Sequence, residues 1–166
     1  MEQFAWAELE VDLRREVWLE FVAEFDFDAK AMPAFTEPVP SITWSLPRDG
    51  PIPLKPVAQL VCDVLRECVE YWDSMFHHDV WHPSAQYRPH RVVDVEDLEG
   101  WEYSHYPYRD FSIFVSKDMT FGVVGNPLED TICFFGAPPV SAVTRLNNGV
   151  LTQILRCDGT FVGMPR

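Results

Sequence analysis

The sequence predicts an α+β fold, two N-terminal helices packed on an antiparallel sheet, and three observations predict it. Apolar residues recur at helical spacing over residues 6–24 and 56–76. The block from Tyr106 to Gly136 reads as short strands separated by turns. No repeat and no linker divides the 166 residues, so a single domain spanning 1–166 is expected.

The first helix rests on Trp6, Leu9, Leu13, Val17 and Phe21, spaced by three and four, with Trp18 and Val22 widening the stripe. Seven prolines between Pro33 and Pro56 then remove amide donors and disfavour helix, which predicts an extended segment. Within it, SITWSL (41–46) alternates Ile42, Trp44 and Leu46 with polar residues, the pattern of a half-buried strand at a sheet edge. Pro56 suits a first helical turn. The run Val57, Leu60, Val61, Val64, Leu65, Cys68, Tyr71, Trp72 and Met75 gives the second helix, expected beside the first.

Periodicity fades from His77 to Tyr106, where all five histidines lie. Strands follow near 111–116, 119–124 and 131–136, with turns at Asp118 and at Gly125-Asn126-Pro127. Phe111, Ile113 and Val115 should share one face and Ser112, Phe114 and Ser116 the other. Residues 139–147 suit a short helix, and LTQILRC and TFVG suit a closing hairpin around Asp158-Gly159.

Composition narrows function by exclusion. A net charge of −13 opposes binding to duplex nucleic acid, whose phosphates need a basic surface. No apolar run reaches the roughly 20 residues of a membrane span. Acids spread through residues 1–24 are the reverse of a signal peptide. Cys62, Cys68, Cys133 and Cys157 lack paired spacing, which predicts free thiols, no disulfide and a cytoplasmic setting. Five acids and no base over residues 94–102 mark an acidic surface.

The segments SITWSL, WHPSAQYRP and YPYRDFSIFVSKDMTFGVVGNPLEDTICFFG together resemble the bacterial domain of unknown function family 2716. The matching positions are Trp81, His82, Pro83, Tyr87, Arg88, Tyr106, Pro107, Asp110, Asp118, Gly125, Pro127, Glu129 and Gly136. Asn126 and Leu128 depart from the family pattern, which often has histidine and tryptophan there. Asparagine can orient a ligand but is no general base near neutral pH. The resemblance implies a fold and a site location and brings no activity with it.

His82, Asp110 and Glu129 are the candidate proton carriers, and Trp81, Tyr87, Arg88 and Asn126 the candidate ligand contacts. An imidazole, two carboxylates, a guanidinium, a phenol and an amide are the types that bind a polar molecule or move a proton on it. Arg88 would clamp an anionic group. The same residues also fit a structural reading, with Arg88 paired to Asp110, Asn126 closing a turn and His82 capping a loop. His77, His78, Asp79 and His82 make a candidate metal group, with His78 and His82 four apart, but Pro83 opposes a helix through His82 and no third ligand stands out, so no metal and no cofactor is expected. The leading expectation is a small-molecule-binding protein, or a cofactor-independent enzyme using acid–base chemistry in an aromatic-lined pocket. The alternative is an acidic interaction module, such as an immunity or antitoxin-like protein that covers a basic protein partner.

Overall fold

The computed structural model describes residues 4–46, 54–95 and 104–162. Among them the chain runs β1 (Trp6–Glu8), α1 (Val11–Phe25), β2 (Ser41–Ser45), α2 (Leu54–Cys68), β3 (Met75–His78) and β4 (Ala85–Tyr87). After a short 3-10 turn at Pro89–Arg91 come β5 (Ser112–Val115), β6 (Gly122–Asn126), β7 (Thr131–Phe135), α3 (Ala137–Leu146), β8 (Gln153–Cys157) and β9 (Thr160–Phe161). The nine described strands form one antiparallel sheet in the order β1-β4-β3-β5-β6-β7-β2-β8-β9.

The architecture corrects the expectation of two N-terminal helices packed side by side on a sheet. A strand precedes α1, a third helix follows β7, and one nine-stranded sheet runs through the described residues. Phe21 and Phe25 of α1 pack on one face, with Ile113, Val115, Val124, Cys133 and Phe135. Val57, Val61 and Leu65 of α2 and Val143 of α3 pack on the other, with Trp44, Phe114, Val123, Ile132 and Phe134. The physical reason lies in the central strands. SIFV and TICFF are apolar at successive positions, so both faces carry side chains that must leave water, and each face needs a cover.

Two further expectations change. Trp6 belongs to a strand, paired with Tyr87, and Leu13 and Leu19 of α1 are exposed, so the buried stripe is only Val17, Phe21 and Phe25. SITWS is not an edge strand: β2 pairs with β7 on one side and β8 on the other, so both of its hydrogen-bonding edges are occupied. The prolines at 47, 51 and 53 and the acids at 96–102 lie outside the described residues.

The register fixes where polar groups can meet. Ser112 lies opposite Gly125, and Ile113 opposite both Val124 and His78. Successive residues of β3 therefore face opposite layers, with His77 beside Phe114 and Trp6, and His78 beside Trp18 and Phe21. Gly125 lets the chain before β5 lie close on the sheet, since a Cβ there would stand 2.8 Å from Pro107 Cγ.

Candidate functional site

Strand β3 ends at His78, and the chain reverses through 79–84 into β4. Asp79 organises that reversal. Its Oδ1 accepts the His82 N–H at 2.6 Å, and its Oδ2 lies 3.1 Å from His82 Nδ1. A short carboxylate that bonds the backbone three residues on is a common way to fix a tight turn.

Asp110 reaches the same loop from the start of β5. Its Oδ1 accepts the N–H groups of Val80 at 2.9 Å and Phe111 at 2.7 Å, and its Oδ2 accepts that of Trp81 at 3.0 Å. Asp110 Oδ2 also stands 3.8 Å from His82 Nδ1. One imidazole nitrogen thus lies between two carboxylates, and ligand atoms from all three residues fall within 4.8 Å of one another. The Asp79 and Asp110 side chains are 3% and 13% exposed, while His82 is 36% exposed. Burial, with the Asp110 charge adding to it against the His82 hydrogen bonds, pushes the Asp79 carboxyl up to about 6.

The cluster opens onto a cleft of about 470 Å³ between this loop and the N-terminal half of α1, lined by Trp18, Trp81, Arg14, Arg15, Asp79 and His82 among others. Trp81 leaves most of its ring in water. Ser84 also lines the cleft, with its Oγ 2.6 Å from His78 Nδ1. Burial among aromatic rings drives His78 down to about 3, so the imidazole is neutral near pH 7. His78 therefore faces Ser84 rather than His82.

The structure brings Trp81, His82 and Asp110 together and places the other four candidates elsewhere. Tyr87 is fully buried in the layer under α2, where its hydroxyl bonds His105 Nε2 at 2.6 Å. Arg88 donates to Gln86 Oε1 and to the Phe4 carbonyl beside the β1–β4 edge, so it is no anchor for this cleft. Asn126 Oδ1 accepts the N–H groups of Leu128 and Glu129 and closes the β6–β7 turn. Glu129 belongs to a separate ionic cluster: its carboxylate accepts Arg156 Nη1 at 2.7 Å and Nη2 at 2.8 Å. Arg156 also donates from Nε and Nη2 to the two oxygens of Glu37, at 2.9 and 2.8 Å.

The sequence sets Asp79 beside His82 in the candidate metal group of HHDVWHP, but it gives no sign that Asp110 joins that group. Sequence reasoning also missed Arg156. The available signal was an arginine at an inward position of the apolar strand LTQILRC. Burial holds the Cys68 thiol up at about 12 and pushes Cys133 higher still, which makes both poor nucleophiles. No described helix is long and apolar enough to cross a membrane.

Comparison with known proteins adds a family. A family of the description "Protein of unknown function (DUF2716)" matches residues 8–140. The Uncharacterized protein YxiI of Bacillus subtilis (strain 168) is 25% identical over 71 residues, which cover 43% of this chain and 44% of that protein. The chain therefore matches less than half the length of that curated relative. No solved structure matches the chain.

Proposed function

The chain belongs to the family of proteins of unknown function DUF2716, and from that premise we propose that it binds a small polar molecule in the cleft beside α1 and moves a proton on it. One observation carries this reading: an imidazole held between two carboxylates at the mouth of a cleft with aromatic walls. Asp79 and Asp110 fix the loop through its amides, so His82 is presented in one orientation. On the opposite wall Arg14 is paired with Glu8 and Asp12 stands nearby, so among the described residues Arg15 is the cation left to receive an anionic group of the ligand. Trp18 and Trp81 supply flat apolar surface for the rest of it. Four free thiols fit a reducing, cytoplasmic setting.

The test is a thermal-shift screen of small carboxylates, phosphates and zwitterions against the wild type, His82→Ala and Arg88→Ala. The reading expects a compound that stabilises the wild type and Arg88→Ala alike and loses its effect in His82→Ala. A hit that survives His82→Ala and fails in Arg88→Ala would place the ligand elsewhere. A screen with no hit would favour an acidic module that binds a basic protein.

A further inference from the structure

We propose that Asp79, His82 and Asp110 form a site for a divalent first-row cation of the Mn²⁺ or Zn²⁺ kind. The inference rests on reading the adjacent cleft as a ligand site and names what its polar centre holds. It departs from the metal-free expectation drawn from the sequence, which weighed His77, His78, Asp79 and His82 together and found no third ligand on a common face. His78 is turned into the aromatic layer and bonded to Ser84, and the partners of His82 are the two aspartates.

Ligand chemistry is the first argument. One imidazole nitrogen with two carboxylates is a mixed nitrogen–oxygen donor set suited to borderline divalent ions, with coordination positions left for water or substrate. Spacing is the second. Donor atoms around an octahedral or tetrahedral ion at about 2.1 Å lie roughly 3–3.5 Å apart. His82 Nδ1 is already 3.1 Å from Asp79 Oδ2 and 3.8 Å from Asp110 Oδ2.

Pre-orientation is the third argument. Four backbone N–H groups, from Val80, Trp81, His82 and Phe111, hold the two carboxylates in place, the kind of outer support that ligating carboxylates receive. Charge is the fourth. Two largely buried carboxylates face one imidazole, which can carry at most one positive charge, whereas a divalent cation balances both. His82 is partly exposed and lines the cleft with Asp79, so an ion held here would be reachable from the cleft.

The experiment is calorimetric titration of chelator-stripped protein with ZnCl₂ and with MnCl₂, for the wild type, His82→Ala, Asp79→Asn and Arg88→Ala. The proposal expects one ion per chain and unchanged affinity in Arg88→Ala. In His82→Ala and Asp79→Asn the affinity should fall by at least about tenfold. The visible absorption of a Co²⁺ complex should be lost in His82→Ala and kept in Arg88→Ala, with far-UV circular dichroism showing that both variants remain folded. Failure of the wild type to bind either ion would overturn the proposal, as would undiminished affinity in both ligand variants. If neither ion binds but an organic ligand still depends on His82, this inference falls and the cleft reading stands. If the ion binds at these residues and no organic ligand does, the reverse holds.

Discussion

Arg156 and His82 each stand between two carboxylates, and the two clusters have opposite surroundings. Arg156 is 1% exposed, its Glu37 partner 1% and Glu129 12%, and the guanidinium meets both carboxylates with two donors each. The Phe161 ring lies over it, 5.3 Å from centre to centre. The three residues come from the segment before β2, from the β6–β7 turn and from β8. The cluster therefore ties distant parts of the chain together and leaves no donor facing open space. At His82 the counter-charge is not permanent, the carboxylates are held by amides rather than by a cation, and the group opens onto a cleft. A fixed, fully paired charge makes a staple. A charge pair lacking a fixed partner costs stability and leaves a place for a ligand.

The largest effect should come from breaking the staple. Arg156→Met leaves Glu37 buried without a partner and should destabilise the fold by about 3–5 kcal/mol, read from denaturant unfolding. Ligand or cation binding at His82 should persist wherever the variant remains folded. If the loss is no more than that of a surface substitution, the cluster is not the staple its geometry describes.

Acid sharpens the contrast. Burial raises the Glu129 carboxyl, but the hydrogen bonds and charge of Arg156 pull it further down, to a net value below the usual 4.5. The unfolded carboxyl then takes up its proton first. The contribution of Glu129 is fully present above about 4.5 and is lost as pH falls through its lowered folded value. Stability measured from pH 6 downward should therefore fall less steeply in Glu129→Gln than in the wild type. Parallel curves would remove Glu129 from the acid response.

The smallest effect belongs to Arg88→Ala. Arg88 bonds an exposed edge rather than the cleft, so stability should change by within about 0.5 kcal/mol and ligand affinity should not change at all. A clear loss of ligand affinity would restore the arginine anchor suggested by residue type alone.

How much the sequence revealed follows from which facts are local. Helical spacing identified α2, turn residues located β5 to β7, and Asp158-Gly159 marked the β8–β9 hairpin. Periodicity shows that a helix has an apolar side but not which face of the sheet receives it, so it pairs α1 with α2 where the structure sets them on opposite faces. Trp81, His82 and Asp110 could be guessed from a histidine-rich segment and a carboxylate before a strand. Their meeting depends on the β3–β5 register, which places His78 opposite Ile113. Tyr87 looked like a ligand contact because a phenol can serve as one. Strand alternation instead turns it inward, between Met75 and Trp6. The Arg156–Glu37 pair joins residues 119 positions apart, and no local pattern encodes it.

The most direct test of the central claim compares the unfolding free energy of Asp79→Asn with that of Glu129→Gln, in chelator-containing buffer at pH 7. Asparagine keeps an acceptor for the His82 N–H while removing charge from a cluster that has no fixed cation. Asp79→Asn should therefore be neutral or stabilising. Glu129→Gln takes a charged partner from Arg156 and should cost about 1–3 kcal/mol. If Asp79→Asn proves the more damaging of the two, the Asp79–His82–Asp110 cluster is a structural staple as well, and the account of it as a ligand centre is contradicted.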